Sequence, residues 1–174
     1  MTEDLLQRAR RVRLLVMDVD GVLTNGKINL DEQGREIKVF DVRDGFGIVL
    51  FRRAGYQTAI ISARSAGAVT ARAADLKIDH VYQDAYPKTQ AYDELLAAVG
   101  LADEQVCFVG DDLPDMCLFR RVGLAVAVGN ASPEVKSRAH YVTRNRGGEG
   151  AVREVVEMIL KAQDRWAAIV EGHY

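Results

Sequence analysis

Two aspartates, Asp18 and Asp20, stand one residue apart directly after an apolar run, Leu14 to Met17, and are followed at once by Gly21. Such a run predicts a buried strand, so both carboxylates would lie where the chain leaves the core. Like charges this close repel each other, and burying either carboxylate unpaired is unfavourable. The pair therefore requires a group that offsets its charge.

A second acidic cluster occurs in "GDDLPD", where Asp111, Asp112 and Asp115 follow the apolar run "QVCFVG". Taken singly, "DVDG" is also typical of a solvated turn, and "GDDLPD" of a helix start, where Asp is favoured. Together, the five carboxylates form a hard-oxygen site of the kind that Mg²⁺ prefers. We therefore expect Mg²⁺ to offset the repulsion between Asp18 and Asp20.

Paired carboxylates beside Mg²⁺ suit phosphoryl transfer. One carboxylate can attack phosphorus and form an aspartyl-phosphate, while the second protonates the leaving oxygen and later deprotonates the attacking water. The hydroxyl of Ser62 and the ammonium group of Lys88 can hold the transferring phosphoryl oxygens, whose charge needs stabilisation. This chemistry requires all of these groups to meet at one place.

Apolar strands that alternate with helices along the chain predict a parallel sheet covered on both faces, an α/β fold. Strands are predicted at 13–19, 56–62, 79–83, 105–110 and 124–128. Helices are predicted at 4–11, 45–55, 65–76, 87–100, 113–123 and 132–139, with a last helix that runs on through Trp166. Ligands bind at the carboxyl ends of such strands, where both acidic clusters, Ser62 and Arg64 would lie.

The segments "KINL" and "REIKVF", joined by "DEQG", alternate apolar and polar residues and predict a β-hairpin at about 27–40. The hairpin and one helix fill the chain between Asp20 and Ser62, and residues 63–87 separate Ser62 from Lys88. Neither stretch is long enough for a second domain over the site. We therefore expect one domain, 1–174, with the hairpin as a flap and a C-terminal helix and tail at about 149–174.

Composition narrows the class of partner. The chain has 174 residues, 48% of them hydrophobic, and a net charge of -2, which argues against a nucleic-acid binder. No apolar run approaches the ~18 residues that span a membrane, and the N-terminal "MTEDLLQRARRVR" lacks an apolar signal core. Cys107 and Cys117 lie in apolar surroundings and are predicted to be buried free thiols, as in a reducing compartment.

Four motifs in order resemble those of the haloacid dehalogenase superfamily: "DVDGVLT" at 18–24, Ser62 in "IISAR", Lys88, and "GDDLPD". The resemblance implies a Rossmann-like three-layer sandwich with a central parallel sheet. It also implies that Asp18 is the nucleophile and Asp20 the general acid/base. By the same resemblance, Mg²⁺ would bind Asp18, the Asp20 backbone carbonyl and Asp111, supported by Asp112 or Asp115.

Some members of the superfamily have a second domain, the cap, over the active site. The short stretches between the motifs of this chain are typical of the subclass that lacks a cap. "FDVRDGFGI" at 40–48 and "HYVTRNRGGEGAVREV" at 140–155 resemble the phosphatases of 3-deoxy-D-manno-octulosonate (KDO) 8-phosphate. That resemblance implies a cytoplasmic enzyme of lipopolysaccharide biosynthesis that acts on a small phosphorylated sugar acid. It further implies a homotetramer in which the hairpin and the C-terminal tail help to close adjoining active sites.

The resemblance also implies a set of substrate contacts. They are Asp20, Asp41, Val42, Arg43, Asp44, Gly45, Arg64, Arg72 and Lys88. The chain departs from the family pattern at Asp41, where Asn is frequent, at Val49, where some members have Arg, and at Ala63, where Gly is usual. These departures bear on the sugar rather than on the phosphoryl chemistry.

Other functions stay open at this point. A related nonulosonate 9-phosphate phosphatase would use the same catalytic residues. A non-catalytic oligomerisation module would have no need for both Asp18 and Asp20, and a phospho-acceptor signalling domain would want an aspartate where Ser62 ends its strand. A phosphomutase needs a closed site, which the missing cap does not provide. The segment "RNRGGEG" at 144–150 could cradle an anion or be a plain loop before the last helix.

Overall fold

A computed structural model describes residues 1–172. In chain order, strands β1 to β8 are Leu14–Met17, Asn29–Leu30, Glu36–Ile37, Gln57–Ile61, His80–Tyr82, Val106–Gly110, Leu124–Ala127 and Tyr141–Val142. Helices α1 to α8 are Glu3–Arg11, Val42–Arg53, Gly67–Leu76, Lys88–Val99, Met116–Phe119, Pro133–Lys136, Ala151–Ala162 and Trp166–Val170. Short 3₁₀ turns lie at Asp103–Gln105 and Leu113–Asp115.

Six strands form one parallel sheet in the order β5-β4-β1-β6-β7-β8. From β1 the chain builds outward through β4 and β5, then crosses to β6 and continues outward through β7 and β8. This order reverses direction between β1 and β6, which are hydrogen-bonded neighbours with Leu15 opposite Cys107. In a sheet of this kind the crevice at the carboxyl ends of the two central strands is the binding position.

Burial on both faces explains the continuous apolar runs of the central strands. All residues of β1, β6 and β7 are buried. Helix α7 packs against both α1 and α2, and α4 packs against α5. The predicted three-layer α/β sandwich is therefore confirmed. No helix within residues 1–172 is long and apolar enough to cross a bilayer.

The predicted hairpin forms from β2 and β3, which pair antiparallel with Asn29 opposite Ile37. Its turn is built on Asp31, whose carboxylate accepts hydrogen bonds from the backbone N–H groups of Gln33 and Arg35. The ribbon leaves apolar side chains uncovered. A two-stranded ribbon without further packing is only marginally stable. Ile28, Leu30, Ile37 and Val39 are 59%, 62%, 52% and 64% exposed.

The last helix was predicted to run through Trp166, and this is wrong. Helix α7 ends at Ala162, and Asp164 adopts a left-handed conformation with φ 57°. Arg165 N–H then bonds back to the Leu160 carbonyl, which stops the helix as a C-cap does. Gln163 donates its side-chain amide to carbonyls at the end of α1, so tertiary contacts hold the break. The final two residues of the predicted tail, 173–174, lie outside the described residues.

Three further details differ from the prediction. The helix predicted at 113–123 is a 3₁₀ turn followed by the single-turn α5. The edge strand β8 was missed, because two residues are too short for a periodic pattern. Cys107 is buried as predicted, but Cys117 is only partly buried and its thiol donates to the Pro114 carbonyl.

Candidate active site

The carboxyl ends of β1, β4 and β6 open into one cleft of about 320 Å³. Asp18 follows β1, Ser62 follows β4 and Asp111 follows β6, so three neighbouring strands each deliver a polar residue. The cleft is lined by Asp18, Asp20, Gly26, Ser62, Ala63, Arg64, Lys88, Asp111, Asp112, Pro114 and Asp115. Every predicted catalytic and metal-site residue therefore lies in this one place.

Lys88 lies at the floor of the cleft between two carboxylates. Its Nζ is 2.5 Å from Asp18 Oδ1 and 2.6 Å from Asp115 Oδ1, and the residue is only 1% exposed. Burial lowers the pKa of Lys88, but the two neighbouring carboxylates outweigh that effect and raise it above its ordinary value. The ammonium group therefore stays charged and holds Asp18 in one orientation.

Asp115 organises the loop that follows β6. Its Oδ2 accepts hydrogen bonds from the backbone N–H groups of Asp111 at 2.8 Å and Asp112 at 3.3 Å. Gly110 permits this approach, because a Cβ there would lie 2.5 Å from Asp115 Oδ2. With Oδ1 bound by Lys88 and Oδ2 by the loop, Asp115 supports the site more than it faces the cleft.

Asp18, Asp111 and Asp115 each place a carboxylate oxygen within 4.8 Å of the others. Burial raises the pKa of Asp18 to about 6, with Lys88 opposing the rise and Asp115 adding to it. Burial also raises the pKa of Asp111 to about 8, and the charges of Asp18, Asp115 and Asp112 add to that rise. The single positive charge of Lys88 does not balance these three carboxylates. A hard divalent cation fits their oxygens.

Gly21 brings the Asp111 carboxylate close to the first motif. Its φ is 97°, and a Cβ there would lie 2.0 Å from Asp111 Oδ2. Glycine at this position therefore serves two purposes, a left-handed turn after Asp20 and room for the carboxylate of the neighbouring strand. This explains why a glycine directly follows the two aspartates.

Asp20 stands at the edge of the cleft and meets two residues of the hairpin. Its Oδ1 is 2.5 Å from Lys38 Nζ, and the same ammonium group is 2.8 Å from Glu36 Oε1. Neither Lys38 nor Glu36 was predicted as a site residue. Strand alternation puts both on one face of the hairpin, but only the tertiary fold shows that this face turns toward Asp20.

Ser62 and Arg64 form the opposite wall. Ser62 is 2% exposed, and its hydroxyl oxygen accepts a hydrogen bond from the Arg64 backbone N–H at 3.3 Å. The Arg64 guanidinium lies 3.1 Å from Glu36 Oε2 and 3.6 Å from Asp20 Oδ2. A hydroxyl and a half-exposed guanidinium thus face the cleft from β4.

The segment "RNRGGEG" packs against the first motif. Gly148 N–H donates to the Val22 carbonyl at 2.8 Å, and Gly147 N–H donates to Asn130 Oδ1 at 2.7 Å. A Cβ on Gly147 would lie 1.6 Å from the Gly21 carbonyl oxygen. Since these two amides are already bonded, the contacts favour the plain-loop alternative over an anion cradle.

The other predicted substrate residues lie at the start of α2, with Arg72 on α3, and none of them lines the cleft. Asp41 caps α2 by accepting from the Arg43 backbone N–H, and the Arg43 side chain pairs with Asp41 at 2.8 Å. Val42 is 78% exposed. Gly45 leaves room for the Arg72 side chain, because a Cβ at position 45 would lie 2.2 Å from Arg72 Nη2.

Asp44 joins α2 to α7. Its carboxylate accepts from the backbone N–H groups of Gly150 at 3.2 Å and Arg153 at 2.8 Å, at the start of α7. Burial raises the pKa of Asp44 to about 6, although these two hydrogen bonds oppose the rise. Asp41, Asp44, Gly45 and Arg72 line a small cavity whose described lining shares no residue with the catalytic cleft. Within one chain, this group is separate from Asp18 and Lys88.

The chain is similar to known proteins over most of its length. A family model described as haloacid dehalogenase-like hydrolase matches residues 77–155. The 3-deoxy-D-manno-octulosonate 8-phosphate phosphatase of Yersinia pestis is 48% identical over 165 residues, 95% of this chain and 88% of that protein.

Solved structures extend the similarity to the fold. The Moraxella catarrhalis 3-deoxy-D-manno-octulosonate 8-phosphate phosphatase, in complex with a magnesium ion, a phosphate ion and KDO, is 36% identical with a TM-score of 0.96, covering 100% of both chains. The cobalt-bound deoxy-D-mannose-octulosonate 8-phosphate phosphatase of Haemophilus influenzae is 36% identical with a TM-score of 0.90, covering 93% of this chain and 95% of that one.

Proposed function

The chain belongs to the 3-deoxy-D-manno-octulosonate 8-phosphate phosphatases among the haloacid dehalogenase-like hydrolases, and we propose that it hydrolyses KDO 8-phosphate to KDO and phosphate. It is a phosphoric monoester hydrolase with Mg²⁺ as its cofactor. The observation that carries this proposal is the meeting of Asp18, Asp111, Ser62 and Lys88 in one cleft at neighbouring strand ends.

Asp18 is the nucleophile in this proposal. Its carboxylate attacks phosphorus, the bond from phosphorus to the sugar oxygen breaks, and an aspartyl-phosphate forms. Lys88, held 2.5 Å from Asp18 Oδ1, supports the orientation of the nucleophile and offers positive charge to the phosphoryl oxygens, with the Ser62 hydroxyl beside it. Bound between Asp18, the Asp20 carbonyl and Asp111, Mg²⁺ would neutralise phosphate charge.

Asp20 is the general acid and base. It gives a proton to the leaving sugar oxygen in the first half, and takes a proton from the attacking water in the second half. The Asp20 carboxylate lies at the rim of the cleft, 3.6 Å from Arg64. This position supports a role for the side chain next to the leaving group rather than as a metal ligand. Arg64 is proposed to bind the sugar acid, because its guanidinium suits a carboxylate.

A homotetramer is proposed as the working assembly. The exposed apolar side chains of the hairpin favour contact with another chain, since the ribbon covers them poorly by itself. In a single chain the group at Asp41–Gly45 and Arg72 does not share the catalytic cleft. We propose that this group reaches the sugar in a neighbouring subunit's cleft, with the hairpin and the C-terminal tail closing it.

A cytoplasmic place in lipopolysaccharide biosynthesis is part of the same proposal. The family supports it, and the two free cysteines are compatible with a reducing compartment. The sequence departures at Asp41, Val49 and Ala63 make the nonulosonate 9-phosphate the competing substrate.

Phosphate release from a panel of phosphorylated 2-keto-3-deoxy sugar acids, with Mg²⁺ and with excess chelator, tests the proposal. We expect the highest kcat/KM for KDO 8-phosphate and loss of turnover without the metal. A preference for a nonulosonate 9-phosphate would replace the substrate while keeping the chemistry. No turnover of any phosphate ester with Mg²⁺ present would overturn the proposed function itself.

A further inference from the structure

Lys38 connects the hairpin flap to the catalytic cleft. It follows β3, and its side chain is only 3% exposed although neighbouring hairpin residues are largely exposed. Its Nζ lies 2.5 Å from Asp20 Oδ1. A lysine side chain is rarely buried unless it is paired, so this contact defines its position.

The two oxygens of Asp20 have different surroundings. Oδ1 is bound by Lys38, whereas Oδ2 is buried and makes no hydrogen bond among residues 1–172. Arg64 Nε, at 3.6 Å, is beyond hydrogen-bond distance of Oδ2. A buried carboxylate oxygen without a partner is unfavourable, so the contact between Oδ1 and Lys38 must keep Oδ2 in this position.

Glu36 holds the anchor itself. Its Oε1 is 2.8 Å from Lys38 Nζ, and its Oε2 is 3.1 Å from Arg64 Nη2, so the carboxylate bridges the two cations. Bonds to both Glu36 and Asp20 fix the direction of the Lys38 ammonium group. The row Arg64, Glu36, Lys38 and Asp20 therefore runs from the wall of the cleft, through the flap, to the proposed acid.

We propose that Lys38 is a positioning residue for proton transfer by Asp20. It holds Oδ1, which leaves Oδ2, the oxygen without a partner, to carry the proton; as the bond from phosphorus to oxygen breaks, the leaving oxygen takes the proton from Oδ2. Lys38 keeps its own protons throughout. This inference rests on the proposed function, because it assumes that Asp20 serves as the acid, and it makes the flap part of the catalytic geometry.

Two substrates with different leaving groups test whether Lys38 acts through proton transfer to the leaving group. A sugar alkoxide needs a proton as it leaves, whereas p-nitrophenolate is stable without one. For Lys38→Met we expect kcat/KM to fall about 100-fold for the sugar phosphate, as when a general acid is misplaced, and about threefold or less for p-nitrophenyl phosphate. The parameter kcat/KM reports formation of the phosphoenzyme, so the later use of Asp20 as a base does not enter the ratio.

Two other variants strengthen the test. Lys38→Arg keeps a cation and should recover part of the loss on the sugar phosphate. Glu36→Gln keeps Lys38 but loosens it, and should show the same dependence on leaving group with a smaller effect. Lys77→Met is the matched control: Lys77 is exposed at the end of α3, at the opposite edge of the sheet, and should behave as the wild type.

The outcomes are distinct. Equal losses on both substrates, or no loss on either, in a Lys38→Met protein with wild-type melting temperature and assembly would overturn the positioning role. If Lys38→Met does not fold, Lys38→Arg decides by the same comparison. A wild-type protein inactive on both esters would instead refute the proposed function.

Discussion

At the scale of single residues, the site depends on how five carboxylates share few cations. Lys88 is bonded to Asp18 and Asp115, and Lys38 to Asp20, while Asp111 has no lysine or arginine paired with it among the described residues. Burial raises the pKa of Asp111 to about 8, and the charges of the neighbouring aspartates add to the rise. A divalent cation bound in the cleft would offset the remaining negative charge.

Asp18→Asn tests the nucleophile. The amide is nearly isosteric and Lys88 keeps Asp115 as a partner, so the fold should persist while turnover falls by several orders of magnitude. Steady-state phosphate release with circular dichroism as the fold check gives the measurement. Asp93→Asn, an exposed aspartate on α4, should leave turnover unchanged. Residual activity of Asp18→Asn above about one per cent of wild type would refute covalent catalysis.

The affinity for Mg²⁺ should depend on pH in a stated direction. A raised pKa means that the carboxyl stays protonated to higher pH, and a proton must leave before the oxygen can bind metal. With pKa values of about 6 for Asp18 and about 8 for Asp111, we expect tighter Mg²⁺ binding as pH rises from 6 to 8, and a plateau above that.

Calorimetric Mg²⁺ titrations of the wild-type protein at a series of pH values measure this dependence. Asp111→Asn should bind Mg²⁺ more weakly and should lose the upper part of the dependence. An affinity that stays constant between pH 6 and pH 8 would show that neither carboxyl carries a proton in the metal-free protein.

At the scale of secondary-structure elements, the start of α7 is fixed by a residue of α2. Asp44 accepts hydrogen bonds from two backbone N–H groups at that start, so a side chain more than a hundred positions away in sequence acts as the helix cap. The same helix follows the loop that packs on the first motif. The packing of α2 on α7 thus supports the first motif at 18–24 indirectly.

Asp44→Ala should lower the free energy of unfolding by about 2 kcal/mol, because two buried N–H groups lose their acceptor. Denaturant unfolding followed by circular dichroism measures the change. Asp4→Ala removes an exposed ion pair with Arg8 and should change stability by less than about 0.5 kcal/mol. Equal effects of the two substitutions would mean that the cap adds nothing to stability.

At the scale of the whole molecule, the hairpin has too little to pack against in one chain. Its apolar side chains are more than half exposed, while Lys38 contacts Asp20 and Glu36 contacts Arg64, two residues that line the cleft. Glu36 and Lys38 thus tie the ribbon to its own active site, while its exposed apolar side chains are left for contact with another chain. Assembly and catalysis are expected to depend on each other for this reason.

The double variant Ile37→Asp, Val39→Asp tests that dependence, since charge on the face away from Glu36 and Lys38 opposes apolar contact between chains. We expect light scattering to show dissociation of a tetramer, with kcat/KM falling more for KDO 8-phosphate than for p-nitrophenyl phosphate. Ala71→Asp, on an exposed position of α3, should leave the assembly intact. A wild-type monomer that is fully active on KDO 8-phosphate would remove the premise.

Sequence alone was enough to predict the fold class and which residues line the cleft, because both depend largely on local patterns. Continuous apolar runs are typical of parallel strands buried on both faces, and the residues that end such runs must lie at one edge of the sheet. Asp18, Asp20, Ser62 and Asp111 were predicted at this edge on that basis, and Lys88 as the first residue of a helix; all five share the cleft. The hairpin was predictable from alternation in the same way.

Tertiary structure alone decided which partner each of these groups meets. Asp18 and Asp115 share Lys88 because β1 and β6 are neighbours, and Lys38 reaches Asp20 because one particular face of the hairpin turns inward. The break at Asp164 likewise follows from contacts with α1 rather than from apolar periodicity, which continues to Trp166. Such pairings join segments distant in sequence, and local propensity carries no information about the packing that selects them.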